Sequence, residues 1–490
     1  MKKAEKGLVM YWIHSAIGIA IMVIIALLPS GDIMTPTGIA ILGIFIGSAY
    51  LWSTVGSLWP SILAIVVVGL LGYGGEGSAG FNAVFSGAFG SETVLSVVFS
   101  LLFFAGIATL GFAKYISNFF LRLKIQKGRP YVFYACLMIS SYIISGLTIP
   151  LTSILLLFPV AADLLKDLGY EKEDKAYYTM ILAIYFAATL GQPMLPFKGA
   201  YLILIGALRN MLGRDFSYVA LTVFTIVMSV ILMLLYLLFV KFVIRPDLDK
   251  LKSLDISSLG GEKLEPLDTF QKAYLFIFVL YLISIVVPPM LTSLNNPVIN
   301  KIAAMGTLGV TAVGIALCEF VHIKGKAVLP MSVAGQKFGW DMYFLVPVAV
   351  FLSGCLTNQE LGIMDFIKVV LNPVFSGKPL FVFIAIILLI AVLLTQVSTN
   401  VGVGILMFPI ILAFAGEYTS VNPAVLSLLS SYIVFVAVCL PAASPYCSVL
   451  HSRRDLVSFG SIQKLYIPMM LISVVVYTMI GYPLLSLLIH

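Results

Sequence analysis

The sequence predicts an all-α integral membrane protein with about 11 transmembrane helices and two re-entrant hairpins in an inverted-topology repeat. Three observations support this fold class: the scarcity of charge, the uneven placement of the cations, and the recurrence of short motifs. Of the 490 residues, 61% are hydrophobic and 10% are charged, against roughly 25% charged residues in a soluble domain. This composition excludes a soluble enzyme, a nucleic-acid-binding module and a disordered chain.

Apolar runs of about 20 residues, the length that crosses a bilayer as a helix, recur through the chain. The first run follows three lysines and has no small-residue cleavage site, so residues 1–35 are predicted to hold a retained N-terminal helix. Two further apolar stretches, 131–162 and 379–414, have polar residues near their centres and are predicted to be re-entrant hairpins. The predicted spans are 8–29, 36–53, 58–73, 93–112, 176–208, 217–241, 271–293, 300–318, 341–356, 422–450 and 463–488.

The placement of the lysines and arginines predicts the orientation. With a cytoplasmic N-terminus, 23 of the 29 cations fall in cytoplasmic segments, five fall outside and Lys198 falls within a span. This asymmetry follows the positive-inside rule and predicts an external C-terminus in a multi-pass protein of the plasma (inner) membrane. The polar stretch 246–271 is predicted to be a cytoplasmic linker between a first repeat, 36–245, and a second repeat, 272–490. The external cations are Arg209, Arg214, Lys301, Lys368 and Lys378.

Four short motifs occur in the same order on both sides of the linker, 245 to 251 residues apart. The first hairpin is predicted to enter from the basic side of the membrane and the second from the opposite side, so the repeat is predicted to be inverted. Inverted repeats with broken helices, here predicted over 176–208 and 422–450, are typical of secondary transporters whose site lies near the bilayer midplane. The matched motifs are Phe89–Glu92 with Phe338–Asp341, Leu110-Gly111 with Leu361-Gly362, Thr148–Pro159 with Ser398–Pro409, and Leu195-Pro196 with Leu440-Pro441.

Smaller features complete the predicted architecture. Gly111–Arg129 and Asn358–Val370 are predicted to be amphipathic interfacial helices at equivalent places in the repeat. Gly43 and Gly47 form a small-residue pair that suits either a subunit contact or helix packing within the chain. The five cysteines and four histidines have no ligand spacing, so neither a disulfide nor a structural metal site is predicted.

Polar side chains near the centre of the first hairpin are candidate site residues. Ser145, Thr148, Pro150, Thr152 and Ser153 lie within its apolar run. Pro150 removes one helical hydrogen bond. This pattern fits the tip of a re-entrant hairpin, and it also fits a proline-kinked helix whose hydroxyls bond to their own backbone.

The second hairpin has a denser polar centre. It contains Thr395, Ser398, Thr399 and Asn400, followed by two glycines. Amide and hydroxyl groups beside glycines suit a sodium ion or a carboxylate, whereas packing between helices through small residues is the other interpretation. The asparagine favours a binding site.

These motifs resemble a known family. Ser398-Thr399-Asn400-Val401, followed by Phe408-Pro409, resembles the Ser-Asn-Thr hairpin motif of the divalent anion/sodium symporter family, and 440–447 is similar to its broken-helix Gly-Thr-Pro-Pro-Asn segment. The likeness runs from about Phe81 to Tyr482. It implies a homodimeric elevator-type carrier in the lipid bilayer, not an enzyme, which moves a dicarboxylate, tricarboxylate or sulfate, usually with sodium and in some members by exchange.

Carried over by position, the resemblance implies two sets of ligands and no cofactor other than the coupling sodium ion. The implied sodium ligands are Thr395, Ser398, Asn400 and the backbone near Ala443, with Ser145 keeping a matching hydroxyl in the first half. The implied substrate-binding residues are Thr148, Pro150, Thr152, Ser153, Lys198, Thr399, Asn400, Val401, Ser444 and Pro445.

The first half departs from the family pattern at two places. Pro150 stands where the sodium-binding asparagine is expected, and Lys198 stands where the family has small residues. A lysine at the bilayer centre costs between about 2.5 and 17 kcal/mol, depending on the method. We hypothesise that the Lys198 ammonium replaces the missing sodium ion in the first half. The carrier would then be sodium-independent, proton-coupled or an exchanger. Snorkelling to an interface, or pairing with a buried acid, is the alternative.

A cation/proton antiporter of the same superfamily is the remaining functional alternative. Such an antiporter is expected to hold a buried carboxylate near a helix break. Glu319 and Glu417 instead lie at predicted span ends. The sequence therefore favours an anion carrier.

Overall fold

The structure is a computed structural model that describes residues 2–252, 264–336, 340–415 and 421–489. It confirms the predicted all-α class, since most described residues form helices joined by turns and loops, and the strands among them are one two-residue antiparallel pair, β1 (His322–Ile323) and β2 (Lys326–Ala327). The helices before the linker are α1 (Lys2–Ala26), α2 (Pro36–Thr54), α3 (Leu58–Leu70), α4 (Gly77–Phe89), α5 (Glu92–Thr109), α6 (Phe112–Leu121), α7 (Pro130–Leu147), α8 (Pro150–Asp167), α9 (Lys175–Gly191), α10 (Gly199–Leu212) and α11 (Tyr218–Phe239).

The linker and the second half contain the remaining helices. These are α12 (Asp249–Lys252), α13 (Thr269–Met290), α14 (Pro297–Ala304), α15 (Gly306–Phe320), α16 (Met331–Gln336), α17 (Trp340–Leu356), α18 (Ile363–Phe375), α19 (Leu380–Leu394), α20 (Asn400–Ala415), α21 (Pro423–Ile433), α22 (Pro445–Ser452), α23 (Phe459–Val476) and α24 (Tyr482–Leu488). Short π-helical turns follow α11 and join α23 to α24.

Among the described residues, seven helices are long and apolar enough to cross a membrane, or nine if each of two bent pairs is one span. The bent pairs are α14 with α15, at 93°, and α18 with α19, at 113°. The predicted number of about 11 spans is not confirmed. The difference arises because predicted spans such as 176–208 and 422–450 are two short helices joined by non-helical backbone. In addition, α4 was not predicted.

The same order of elements occurs in both halves. An amphipathic helix, α6 or α18, begins directly after a glycine with a positive φ angle, Gly111 (74°) or Gly362 (69°). At Gly362 a Cβ atom would lie 1.9 Å from the Ile33 carbonyl oxygen, so only glycine fits. A helical hairpin follows, α7 with α8 or α19 with α20, and then a pair of short helices, α9 with α10 or α21 with α22.

Each hairpin packs against helices of both halves. In the first half α7 and α8 contact α9, and in the second half α20 contacts α21. Across the halves, α8 contacts α22 and α20 contacts α10. This exchange of contacts brings the two hairpins and the two pairs of short helices into one body. The breaks in these helices are therefore close to one another.

Apolar side chains on the outside of the molecule suit a lipid environment. Trp12 on α1 is 63% exposed, Leu234 on α11 is 54% exposed, and Phe276 on α13 is 66% exposed. Such extensive exposure of large apolar residues is unfavourable in water and natural against lipid tails. The glycine pair Gly43 and Gly47 on α2 packs against α1, where added Cβ atoms would meet Ile25 and Met22.

Several predicted features fall partly outside the described residues. The predicted linker, 246–271, is described only at 246–252 and 264–271, and α13 begins within it at Thr269, after a capping box formed by Asp268 and Gln271. Phe338, Gly339 and Glu417 lie outside the described residues. Glu319 is exposed, and its carboxylate accepts a hydrogen bond from the Met331 backbone N–H.

Candidate functional site at the helix breaks

The tip of the first hairpin leaves a backbone carbonyl without its helical donor. Helix α7 ends at Leu147, and α8 begins at Pro150. Proline has no N–H, so the carbonyl of Gly146, four residues earlier, has no partner in a continued helix. The Thr148 hydroxyl donates to the Ile144 carbonyl, 2.5 Å away, and therefore not to the Gly146 carbonyl. The free carbonyls at the end of α7 carry the partial negative charge of a helix C-terminus.

Lys198 supplies the missing donor. It lies in the break between α9 and α10, and its Nζ donates to the Gly146 carbonyl oxygen at 2.7 Å and to the Ser145 carbonyl oxygen at 3.4 Å. The Nζ atom is also 5.6 Å from the centre of the Phe104 ring. The residue is 7% exposed, so it does not snorkel to water. Among the described residues it forms no ion pair with a carboxylate.

The first hairpin and the first break are held together by close packing. A Cβ atom on Gly191 would lie 2.3 Å from the Tyr142 carbonyl oxygen, and one on Gly146 would lie 2.3 Å from the Met194 side chain. The Ser145 hydroxyl donates to the Ala188 carbonyl oxygen at 2.5 Å. The position of the Lys198 backbone is therefore fixed relative to the tip.

The second hairpin carries a cluster of oxygen atoms in place of the ammonium. One side-chain amide atom of Asn400 is 2.8 Å from the Thr395 hydroxyl, 3.1 Å from the Val434 carbonyl oxygen and 3.3 Å from the Ala443 carbonyl oxygen; as Nδ2 it donates to these oxygens, and as Oδ1 it adds a fourth oxygen to them. Thr395 and Ala443 are fully buried, and Asn400 is 7% exposed. We name Thr395, Asn400, Val434 and Ala443 the oxygen cluster.

The second break is shaped by side chains that bind its backbone. Gln396 Oε1 accepts hydrogen bonds from the backbone N–H groups of Val438 at 3.1 Å and Cys439 at 2.8 Å. Ser444 caps α22 by accepting from the Cys447 N–H at 3.1 Å. These bonds hold the non-helical segment that presents the Val434 and Ala443 carbonyls to Asn400.

Tyr446 joins the two breaks. Its hydroxyl is 2.6 Å from the second side-chain amide atom of Asn400, and it is 2.8 Å from Oε1 of Gln192, the first residue of the first break. A chain of three side chains thus runs from the oxygen cluster to the segment that carries Lys198. The site residues predicted from the sequence did not include Gln192, Tyr446, Gln396 or the Val434 carbonyl.

The other predicted site residues occupy separate positions. The Ser398 hydroxyl lies 2.5 Å from the Ser53 hydroxyl on α2. The Thr399 hydroxyl accepts from the Gly402 N–H at 3.2 Å, and Ser153 bonds to Ser141 at 2.7 Å. Thr152 is half-buried, Pro150 and Val401 are buried, and Pro445 is exposed at the start of α22.

Four helices begin at the breaks. They are α8 at Pro150, α10 at Gly199, α20 at Asn400 and α22 at Pro445. A helix N-terminus presents unpaired N–H groups and the positive end of the helix dipole. The arrangement can therefore offer N–H groups to an anion beside the Lys198 ammonium and the oxygen cluster.

A cavity lies away from these breaks, at the C-terminal end of α10. Its volume is about 640 Å³, and it is lined by Glu92, Arg209, Asp215 and residues 303–309 among others. The Arg209 guanidinium forms two hydrogen bonds to the Glu92 carboxylate, at 3.1 and 3.2 Å, and an ion pair with Asp215 at 2.5 Å. The charged groups of this cavity thus pair with one another.

Comparison with known proteins decides the family. The family model described as the sodium:sulfate symporter transmembrane region matches residues 10–489. The chain belongs to the sodium:sulfate symporter family. This membership confirms the family expected from the hairpin motifs, and it makes the chain a multi-pass membrane transporter of anions and not an enzyme.

A solved structure is similar in fold to this chain. The structure titled as the Alcanivorax borkumensis YdaH transporter, with an unusual topology, is similar with a TM-score of 0.53 over 92% of this chain and 98% of that chain. The two sequences are 11% identical, so the likeness concerns the fold alone. The comparison with curated proteins returned no match.

Proposed function

We propose that this symporter is a secondary active carrier of a small divalent anion, such as a dicarboxylate, a tricarboxylate or sulfate. In this proposal the anion binds between the two hairpin tips, where the N-termini of α8, α10, α20 and α22 supply backbone N–H groups. The observation that carries the proposal is the hydrogen bond from the Lys198 ammonium to the Gly146 carbonyl at the first hairpin tip, together with the buried oxygen cluster at the second hairpin tip. Two positive charges, one tethered and one supplied by an ion, would balance a divalent anion.

The oxygen cluster is the proposed sodium site. Its donors are one amide oxygen, one hydroxyl and two backbone carbonyls, of Val434 just after α21 and of Ala443 in the short 3₁₀ turn before α22. Secondary transporters use backbone carbonyls at such helix interruptions to coordinate sodium. With Nδ2 turned to the cluster, Asn400 donates to the Val434 and Ala443 carbonyls and needs no ion. With Oδ1 turned to the cluster, it accepts a hydrogen bond only from Thr395, whose hydroxyl also reaches the Val434 carbonyl 3.0 Å away. A cation among these four oxygens would satisfy lone pairs that have no hydrogen between them. Ser398 is outside this set, and Ser145 belongs to the Lys198 half.

Lys198 is the proposed replacement for sodium in the first half. The ammonium provides one positive charge and N–H donors to the carbonyls at the C-terminal end of α7, where a cation is favoured by the helix dipole. The charge is covalently attached, so it does not depend on the sodium concentration. This reasoning supports a carrier with a single sodium site in each chain.

The proposed transport domain, scaffold and membrane orientation follow from the family resemblance. The hairpins and broken helices, within 131–208 and 379–450, would form a moving transport domain, and the other helices would form a fixed scaffold of a homodimer in the plasma membrane. The exchange of contacts between α8 and α22, and between α20 and α10, supports a transport domain that moves as one unit. The N-terminus is proposed to be cytoplasmic and the C-terminus external.

Counterflow in proteoliposomes tests the proposed function. Vesicles loaded with unlabelled succinate, citrate or sulfate are expected to accumulate the matching labelled anion from outside, because only a carrier exchanges one for the other. If none of these anions is exchanged, and a sodium or proton gradient instead drives cation movement, the antiporter alternative replaces the proposal.

A lysine variant separates the coupling schemes. Uptake by the wild type and by Lys198→Gln is measured at several sodium concentrations and pH values. We expect the wild type to require sodium and the variant to lose uptake or to change its ion dependence. An active variant whose dependence on both sodium and pH matches the wild type would remove Lys198 from the mechanism. A wild type that needs no sodium would favour exchange or proton coupling.

A further inference from the structure

The amide of Asn400 fits two orientations that bind different partners. In the first, Oδ1 faces the oxygen cluster and Nδ2 donates to the Tyr446 hydroxyl at 2.6 Å. In the second, Nδ2 faces the cluster and reaches the Val434 and Ala443 carbonyls at 3.1 and 3.3 Å, while Oδ1 accepts from the Tyr446 hydroxyl at 2.6 Å. The first orientation leaves the cluster as oxygens only, and the second fills it with N–H donors.

The hydroxyl proton of Tyr446 ties these orientations to Gln192. A phenol has one proton to donate. When Asn400 donates to Tyr446, that proton goes to Gln192 Oε1, 2.8 Å away. When Asn400 accepts from Tyr446, the hydroxyl proton points to Asn400. Gln192 must then turn its side-chain amide so that Nε2 donates to the Tyr446 oxygen. Tyr446 is 6% exposed and Gln192 is half-buried, so an unmade hydrogen bond of the Tyr446 hydroxyl is costly.

We propose that Tyr446 and Gln192 are positioning residues that set which face of the Asn400 amide meets the oxygen cluster, and so link sodium in that cluster to the first break. Sodium requires the amide oxygen and therefore the Asn400-to-Tyr446-to-Gln192 direction of donation. Release of sodium permits the reverse direction. The orientation of Gln192, which directly follows α9 in the segment that carries Lys198, then reports whether the second half holds its ion.

Two substitutions of Gln192 should shift sodium binding in opposite directions. Gln192→Leu leaves the Tyr446 proton with Asn400 as its acceptor, which favours the orientation that excludes sodium. Gln192→Glu supplies acceptors only, which holds the Tyr446 proton away from Asn400 and favours the orientation that admits sodium. The loss of one hydrogen bond changes an equilibrium about 2- to 13-fold, and we expect changes of this size in the sodium concentration that gives half-maximal thermal stabilisation.

The experiment is a thermal-stability titration of the purified full-length protein with sodium chloride, with choline chloride holding ionic strength constant. We expect Gln192→Leu to raise the half-maximal sodium concentration and Gln192→Glu to lower it. The same substitutions are then made in a Tyr446→Phe background. There the effect of Gln192→Leu should disappear, and the effect of Gln192→Glu should fall to whatever its charge contributes through space.

A matched control separates this relay from general packing. Tyr185 also lies at the second break, where its hydroxyl contacts the Cys447 sulfur at 2.8 Å and its ring lies 6.1 Å from the Tyr446 ring. Tyr185→Phe is expected to leave the half-maximal sodium concentration unchanged. A structural role of Gln192 would lower the melting temperature without sodium and would not reverse sign between the two substitutions.

Three results would overturn the inference. The first is an unchanged half-maximal sodium concentration in both Gln192 variants. The second is an equal effect of Gln192→Leu with and without the Tyr446 hydroxyl. In these two cases the proposed sodium site stands if sodium stabilises the wild type. The third is a wild type that sodium does not stabilise, which removes the proposed site itself and the relay that rests on it. Should Gln192→Leu fail to fold, the Gln192→Glu comparison alone decides.

Discussion

The two hairpin tips are built alike and completed differently. In each, a hydroxyl on the hairpin donates to a backbone carbonyl beside it: Ser145 to Ala188 within α9 in the first half, and Thr395 to Val434 just after α21 in the second. An offset of 250 residues places Pro150 opposite Asn400, and an offset of 245 places Lys198 opposite Ala443. The first tip therefore has a proline and an ammonium where the second has an amide and a carbonyl.

Under the proposed function, this difference gives two ways to put positive charge at the end of a hairpin. The second half gathers oxygens that can hold an ion, and binding then costs the ion its translational freedom. In the first half, Pro150 leaves one carbonyl without its helical donor, and the Lys198 ammonium donates to that carbonyl. Because this cation is part of the chain, it does not lose the translational freedom that a bound ion loses. A site of the first kind responds to ion concentration, and a site of the second kind does not.

The largest expected effect is the loss of anion binding in Lys198→Ala. If the ammonium and the anion are roughly 8 Å apart at an effective dielectric constant of about 20, one pair of unit charges contributes about 2 kcal/mol. The half-maximal anion concentration for thermal stabilisation should then rise by about 30-fold, and more for a divalent anion. An anion affinity within about twofold of the wild type would contradict the role given to Lys198.

Lys250 offers a matched control for that variant. Its ammonium also donates to a backbone carbonyl, of Gly169 at 2.6 Å, and lies 4.9 Å from the Tyr170 ring, but it is exposed. Water and salt screen such a charge. Lys250→Ala should therefore leave anion affinity unchanged within about twofold.

An intermediate effect is expected from converting the first tip into the second. The double variant Pro150→Asn with Lys198→Ala reproduces the Asn400 and Ala443 pair at the equivalent positions. We expect it to recover part of the anion binding that Lys198→Ala loses, and to do so only in sodium, because an asparagine oxygen would again face backbone carbonyls. The measurement is anion-dependent stabilisation in sodium and in choline, beside Lys198→Ala alone. No recovery in sodium would show that the two tips are not interchangeable.

The smallest expected effect concerns the charges outside the breaks. Arg209 and Glu92 have side chains that are 34% and 51% exposed, and exposed ion pairs contribute about 0 to 1 kcal/mol. Glu92→Gln should therefore lower the free energy of unfolding by at most about 1 kcal/mol, and less at high salt. A thermal melt in low and high salt measures this. A loss of anion binding comparable to that of Lys198→Ala would mean that this pair, too, takes part in transport.

Much of the fold was predictable from the sequence because lipid imposes a simple rule on composition. Apolar length and the positions of Pro159, Pro409 and the glycines Gly111 and Gly362 indicated the order of the helices in both halves. The number of unbroken spans was not predictable from hydropathy alone. An apolar run such as 176–208 has the same composition whether it continues as one helix or breaks at Gln192, and α4 is too short and too rich in small residues to stand out.

The parts of the candidate site that are side chains could be predicted from the sequence, whereas the parts that are backbone carbonyls could not. Lys198 stands out in a chain with 10% charged residues, and Asn400 stands out in an apolar run. The carbonyls of Gly146, Val434 and Ala443 have no sequence signal of their own, because any residue has a carbonyl and only the path of the chain aims it. Tyr446 and Gln192 lie 254 residues apart, so their contact depends on how the two halves pack.

The most direct test of the proposed asymmetry is the number of sodium ions bound per chain during anion binding. The account predicts that anion-dependent stabilisation of the wild type rises hyperbolically with sodium, as for one ion, and that Asn400→Ala abolishes this dependence. A sigmoidal dependence that requires two ions would contradict the replacement of sodium by Lys198. Full anion binding without sodium would contradict the sodium site at the oxygen cluster.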